Sequence, residues 1–136
     1  IMSTNQAALD KSSLALRVMT MPKDTNQYGT IFGGVILSWI DQAGFVEARR
    51  HGLHRWVTVA IDKVVFTAPV HLGDIVECWT RTSRLGTSSV TVEVEVLAQR
   101  YNTGAMVKVT TASLAMVAVD ERGSKIPFAS SPTVSC

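Results

Sequence analysis

One segment of this 136-residue chain, residues 34–51, has apolar side chains on nearly every side when it is drawn as a helix. It contains no proline, and Gly52 follows it as a helix C-cap. A helix that is apolar around most of its circumference must be covered on most sides to be stable in water. The rest of the chain must therefore form a surface that wraps around this helix.

After the helix, the apolar residues repeat with a period of two, which is the spacing of β-strands. In residues 90–96, valine alternates with threonine and glutamate, so one strand face is buried and the other is wet. Further strands are predicted at residues 14–20, 57–66, 75–83 and 106–119, with turns at residues 69–74, Gly86 and residues 101–104. Short turns between successive strands indicate an antiparallel meander. We therefore predict an α+β fold in which a strongly curved antiparallel sheet wraps around one long helix.

The length and composition predict one domain with a substantial core. Hydrophobic residues make up 46% of the chain and charged residues 18%, which suits a compact protein and argues against disorder. We expect a single domain over residues 1–136, with its core at about residues 14–119 and loose termini.

The charge and the cysteines bear on partners and compartment. A net charge of +2 is too small to indicate a nucleic-acid partner. No stretch approaches the ~18 apolar residues of a membrane span, and residues 1–13 lack the apolar segment of a signal peptide. Cys78 and Cys136 resemble neither a disulfide framework nor a metal site. We expect a cytoplasmic protein with no nucleic-acid or membrane partner and no metal.

Asp41 lies near the middle of the apolar helix. On a helical wheel, small and apolar residues such as Gly44 and Ala48 fall on its side, while Glu47 and Arg50 fall on the far side. A carboxylate in such surroundings loses hydration, which is costly unless it is paired. Asp41 could cap a loop or pair with a basic side chain across an interface, or it could be a catalytic carboxylate tuned by partial burial. Small neighbours such as Gly44 would leave room for a second backbone.

Gly33 and Gly34 stand at the start of this helix and would leave its first backbone N–H groups unobstructed. Such a terminus can bind an anion or a developing oxyanion, although tight packing against a strand would explain the glycines as well. Asp41 lies eight residues after Gly33, which is ~12 Å along a helix. One reacting carbonyl cannot lie within ~3 Å of both groups. If both are catalytic, they must come from two subunits, so the sequence predicts a dimer.

The other candidate motifs give weaker evidence for a functional site than Asp41 and the glycine pair. There is no GxSxG elbow and no Walker loop. The histidines lack the spacing of metal ligands, and His51 and His54 are expected to be exposed. The stretch "RLGTSS" places Arg84 near amides and hydroxyls that could hold a phosphate, but it is explained more simply as a hairpin turn.

The stretches "LALRVMTMPKDTNQYGTIFGGVILSWIDQAG" and "VTVAIDKVVFTAPVHLGDIVECWTRTSRLGTSSVTVEVEV" closely resemble the hot-dog acyl-CoA thioesterases, and most of all the YciA-like acyl-CoA hydrolases. The resemblance covers roughly residues 14–119. It combines an Asp-x-Asn loop, a Gly-Gly helix start, a helical aspartate, and "GD" and "GxSS" turns. It implies a hot-dog fold, which agrees with the meander around a helix. It also implies a dimer with active sites at its interface, commonly assembled into a hexamer.

The resemblance also implies roles for individual residues. Asp41 would activate water or attack the thioester, the Gly33 N–H would bind the oxyanion, and Asn26 would position the reactants. Candidate substrate-binding residues are Gly34, Lys63, Arg84, Ser88 and Ser89, with the two cations placed to hold the phosphates of coenzyme A. No cofactor is implied beyond coenzyme A as part of the substrate. Many relatives have histidine before the glycine pair; Phe32 stands there instead and removes one possible polar helper.

Two other functions remain open at this stage. A hot-dog dehydratase of hydroxyacyl thioesters usually pairs a loop histidine with the helical carboxylate, and no histidine lies between residues 14 and 41. A non-catalytic acyl-CoA sensor need not keep Asp41, and it often carries a DNA-binding segment, which is not visible in this sequence. The resemblance therefore implies hydrolysis of acyl-CoA to a carboxylic acid and coenzyme A, in preference to these two functions.

Overall fold

The computed structural model describes residues 11–134; residues 1–10, most of the polar N-terminal segment, and residues 135–136, including Cys136, lie outside the described residues. The elements are strand β1 (Ser13–Met19), helix α1 (Gly33–Ala48), and strands β2 (Arg55–Phe66), β3 (Ile75–Leu85), β4 (Ser89–Gln99) and β5 (Met106–Val119). All neighbouring strands are antiparallel, in the order β1-β3-β4-β5-β2. This confirms the predicted curved sheet around one helix, and the helix ends at Ala48 in a single 3₁₀ turn, Arg49–His51.

Strand β4 shows how the sheet covers the helix. Its alternating residues Val90, Val92, Val94 and Val96 are all buried, while Glu95 on the other face is exposed. Each buried valine contributes roughly 1.5 kcal/mol or more of hydrophobic stabilisation. The period of two therefore predicted correctly which face of this strand meets the helix.

Gly44 brings the helix into close contact with the sheet. A Cβ atom at this position would lie 2.8 Å from Leu114 Cδ2 on β5, closer than carbon atoms can approach. The space beside Gly44 is thus filled by the chain's own core. The expectation that this small residue leaves room for a second backbone was wrong.

The helix carries its buried carboxylate at Glu47, not at Asp41. Glu47 is 1% exposed and accepts hydrogen bonds from Thr80 Oγ1 at 3.1 Å and Thr82 Oγ1 at 2.7 Å on β3. Arg50 Nη1 pairs with it at 3.2 Å. Asp41 is exposed, so the predicted placement of these two residues was reversed. A helical wheel groups residues by face, but when nearly every face is apolar it does not show which one meets the sheet.

The two histidines after the helix were predicted to be exposed, and this was wrong. His54 is 1% exposed; its Nε2 donates to the Phe128 carbonyl at 2.8 Å, and its Nδ1 accepts from Thr133 Oγ1 at 3.0 Å. His51 is half-buried, with Nε2 2.7 Å from Thr82 Oγ1. Because the Thr82 hydroxyl gives its hydrogen to Glu47, His51 Nε2 must be the donor in that pair.

Both histidines are covered by residues 126–134, which we call the C-terminal strap. Its Ile126, Phe128 and Thr133 N–H groups donate to the Ala118, Thr87 and Leu53 carbonyls at 3.0–3.1 Å. The prediction of a loose C-terminal tail was therefore wrong for this segment. Nothing in the strap's own sequence identifies His54 as its partner.

Acid should weaken the fold through His51. Burial chiefly lowers the pKa of this imidazole below its ordinary value of 6.5; Arg50 lowers it further and Glu47 opposes the shift. The unfolded chain then binds the proton more readily, so the stabilising contribution is complete above pH 6.5 and is lost as the pH falls through the folded pKa. His51→Gln keeps a donor for Thr82 but does not titrate. Urea unfolding from pH 7.5 to 5 should show a smaller loss of stability on acidification for His51→Gln than for the wild type; equal losses would contradict this prediction.

Candidate active site

Asp41 lines a cleft of about 610 Å³ on the exposed face of α1. The polar residues of its lining are Asp41, Gln42 and Thr58. The remaining lining is apolar, from Leu16, Phe45, Val46, Trp56, Val57 and Met116. A cleft that is mostly apolar, with a few polar groups at one place, is typical of a small-molecule site.

Thr58 of β2 fixes the Asp41 carboxylate. Its hydroxyl donates to Asp41 Oδ1 at 2.5 Å and also lies 3.2 Å from Met116 Sδ. No hydrogen bond from another residue of the described chain reaches Asp41 Oδ2, which leaves that oxygen available to a ligand or to water. Thr58 could not be singled out from the sequence, because threonine within a strand is as well explained by β-propensity as by a functional site.

Gly33 begins α1, and its backbone N–H points out of the helix without an acceptor among residues 11–134, as does that of Gly34. A Cβ atom at Gly33 would meet only Phe66 Cζ at 3.7 Å, and one at Gly34 would meet nothing within 4 Å. Tight packing within the chain therefore does not require either glycine. Both leave free donors at the positive end of the helix dipole.

Asp41 and Gly33 do not meet within one chain. Gly33 lines a separate cleft of about 380 Å³ together with Phe66 and Pro69, and Asp41 does not reach it. The two residues lie on one helix, ~12 Å apart along its axis. A single protomer thus presents the two halves of a catalytic arrangement at two different places.

The Asn26 side chain forms hydrogen bonds within its own loop. Its Oδ1 accepts from the N–H groups of Tyr28 at 2.9 Å and Thr30 at 3.1 Å, and its Nδ2 donates to Thr30 Oγ1 at 2.9 Å. This Asx-type turn shapes the segment that leads into Gly33. Within the chain, Asn26 therefore stabilises the backbone conformation of the loop.

The predicted substrate-binding cations are separated in the chain. Lys63 lies on a β2 bulge with a φ of 55° and lines an outer-face groove that also contains Arg81. Arg84 is exposed near the end of β3, where Ser88 and Ser89 close the hairpin to β4. β4 and β5 lie between β3 and β2, so the backbones at Lys63 and Arg84 are at least ~14 Å apart when measured along the curved sheet.

Cys78 does not compete with Asp41 as a nucleophile. It is fully buried, and burial raises the pKa of its thiol to about 12. Thiols react as thiolates, which this site suppresses. Within residues 11–134, His, Cys, Asp and Glu form no group of three that could hold a metal ion, and no helix is long and apolar enough to span a membrane.

Comparison with known proteins agrees with this architecture. An "Uncharacterized acyl-CoA thioester hydrolase" of Haemophilus influenzae is 39% identical over 116 residues, which cover 83% of this chain and 75% of that protein. The solved structure of HI0827, a hexameric broad-specificity acyl-coenzyme A thioesterase, superposes with a TM-score of 0.82 at 37% identity, covering 87% of this chain and 82% of that chain. Cj0915, a hexameric hotdog-fold thioesterase of Campylobacter jejuni, gives a TM-score of 0.80 at 44% identity, covering 85% and 89% of the two chains.

These similarities confirm the predicted hot-dog fold and the resemblance on which it was based. The family model described as "Thioesterase superfamily" matches residues 28–105, which include Asp41 and the Gly33–Gly34 helix start. The chain belongs to the thioesterase superfamily.

Proposed function

We propose that this protein hydrolyses acyl-CoA thioesters to a carboxylic acid and free coenzyme A. The observation that carries the proposal is the Asp41 cleft, in which an oriented carboxylate adjoins an apolar lining. Such a cleft offers a reacting group beside space for an acyl chain. The relatives named as acyl-CoA thioester hydrolases support this choice of substrate.

Asp41 supplies the base or the nucleophile. As a base, its free Oδ2 takes a proton from water while the water oxygen attacks the thioester carbonyl; collapse of the tetrahedral intermediate expels the coenzyme A thiolate. As a nucleophile, Oδ2 attacks the carbonyl itself and the coenzyme A thiolate leaves, which gives a mixed anhydride; water then cleaves this anhydride to the carboxylic acid and the free Asp41 carboxylate. Thr58 holds Oδ1 in either route. Neither route requires a metal or a cofactor.

The oxyanion donor comes from a second protomer. The Gly33 N–H, with Gly34 beside it, meets the substrate carbonyl that Asp41 of the other protomer serves. Asn26 shapes the loop that delivers Gly33. Because each chain has one Asp41 and one Gly33, a symmetric dimer contains two complete sites.

The surface of β2 supports this dimer. β2 is an edge strand, and it exposes apolar side chains at Val57, Val59, Ile61 and Val65. An exposed apolar edge strand is a template for pairing with another chain. We propose that two copies pair along β2 and that three dimers form a hexamer, the assembly named for HI0827 and Cj0915.

Coenzyme A is held by local cations in this proposal, because the net charge of the chain is only +2. Arg84, with Ser88 and Ser89 in the adjoining hairpin, and Lys63 are the groups proposed to contact its phosphates. Their separation within one chain implies that they contact different phosphates or come from different protomers. We further propose a cytoplasmic location, which suits the free thiol of Cys78.

The direct test is release of free thiol from a panel of acyl-CoA esters by the purified protein, before and after dialysis against a chelator. We expect turnover that survives the chelator. Binding of acyl-CoA without turnover would favour a sensor instead. Consumption of hydroxyacyl-CoA with formation of the enoyl product and no free thiol would favour a dehydratase.

A further inference from the structure

One wall of the Asp41 cleft is Trp56, an aromatic residue that the proposed chemistry does not use. Trp56 lines the cleft and is 5% exposed. The ring of Phe128, in the C-terminal strap, lies behind it with centroids 6.1 Å apart and planes tilted by 37°. A residue distant in sequence therefore supports the wall of the candidate site.

Trp56 is held in place from several sides. Its Nε1 donates to the Gly52 carbonyl at 2.9 Å, and His54 meets its ring edge-on at 6.1 Å. His54 in turn fixes the strap through the Phe128 carbonyl at 2.8 Å. A Cβ atom at Gly52 would lie 2.8 Å from that same carbonyl oxygen, so there is no slack between these groups. These contacts keep the Trp56 indole from shifting toward Phe128 as long as the C-terminal strap is bound to His54.

The position of Trp56 along β2 gives it a role in the cleft. It precedes Thr58 by two residues on the same strand, so the two side chains share a face and stand ~7 Å apart. Thr58 marks the reacting end, because its hydroxyl holds the Asp41 carboxylate. Phe45, Met116 and the indole of Trp56 are therefore apolar groups that the same cleft offers to an acyl chain whose carbonyl lies at Asp41.

We propose that Trp56 is the end wall of the acyl-binding cleft and that Phe128 is a positioning residue that holds this wall, so that the C-terminal strap limits the length of the acyl chain. This inference rests on the proposed function, since it concerns the acyl part of the same substrate. Removing either ring should deepen the cleft and favour longer acyl chains. The effect should be a change of preference among chain lengths and not a uniform loss of activity.

The test compares kcat/KM for short-chain and long-chain acyl-CoA in the wild type, Trp56→Leu and Phe128→Ala. One added or missing methylene group in an apolar pocket changes selectivity by ~10–200-fold, so the ratio of long-chain to short-chain kcat/KM should rise by at least about tenfold in both variants. Ile126→Ala is the matched control, because it trims an apolar side chain of the same strap without removing a ring from Trp56. Its ratio should stay at the wild-type value.

Calorimetric binding of non-hydrolysable alkyl-CoA thioethers of increasing chain length gives the same profile without turnover. A wild type that hydrolyses no acyl-CoA would refute the proposed function, while the thioether profile would still test the end wall. Folded Trp56→Leu and Phe128→Ala proteins with wild-type chain-length profiles would overturn the inference. An equal shift in Ile126→Ala would also overturn it, because the strap would then act through general loosening.

Discussion

Asp41→Asn should lower kcat by roughly 10²–10⁴-fold while leaving the melting temperature and the oligomer unchanged. The asparagine carbonyl can still accept the hydrogen bond from Thr58, so the side chain keeps its place. It cannot take a proton from water or form an anhydride. Because Asp41 is exposed and not part of the buried core, its charge is not needed for the fold of the chain.

Three measurements on one preparation of Asp41→Asn test whether Asp41 serves catalysis or assembly: thiol-release kinetics, thermal melting and sizing. Glu121→Gln is the control, since it removes the charge of an exposed carboxylate in a turn far along the chain from α1. Its turnover should match that of the wild type. Near-normal turnover per folded Asp41→Asn protomer would exclude Asp41 from the mechanism, and a collapsed oligomer would show that its charge serves assembly.

The parts of the fold that could be predicted are those that the local pattern determines. Alternating valines in β4 face the helix because a strand has a period of two. The turns also followed from the sequence: the Gly86 N–H donates to the Ser89 carbonyl at 2.8 Å, which closes the β3–β4 hairpin. These features depend on neighbours within a few residues, so one sequence is sufficient to find them.

What could not be predicted depends on partners distant in the chain. Glu47 is buried because Thr80 and Thr82, more than thirty residues later, satisfy its oxygens. His54 is buried because the strap returns to it after more than seventy residues. The residues next to Glu47 and His54 in the sequence do not reveal these distant partners. Both residues were therefore predicted to lie on the surface.

In the candidate site too, some residues could be identified from the local sequence and others only from the fold. Asp41 and Gly33 stand out because a carboxylate and a glycine pair are unusual in an apolar helix and at its start. Thr58 does not stand out, because threonine is common in strands. Its pairing with Asp41 depends on the fold, which brings Thr58 of β2 beside Asp41 of α1.

Gly33→Pro should also reduce kcat, by ~10²–10³-fold, because it removes one proposed oxyanion donor. Proline suits this position: Gly33 is the first residue of α1, where a proline's fixed φ favours the helix and no hydrogen bond of the chain is lost. Phe32 before it has a φ of −56° and a ψ of 135°, which a following proline tolerates. Gly33→Ala retains the N–H and adds a Cβ that meets only Phe66 at ordinary distance, so it should stay within a few-fold of the wild type. Equal losses in the two variants would show that the space, and not the donor, matters.

Co-expression of Gly33→Pro and Asp41→Asn should restore activity that neither variant has alone. If each site takes Asp41 from one protomer and the Gly33 N–H from its partner, a mixed dimer contains one site with both defects and one intact site. Random pairing of equal amounts makes about half of the dimers mixed, so about a quarter of all sites should be intact. Thiol release by the co-purified mixture should approach that fraction of the wild-type rate. The physical reason is the ~12 Å of helix between the two residues, which no single protomer can close. A mixed oligomer as inactive as its parents would place the donor and the carboxylate in one protomer and remove the basis for a shared site.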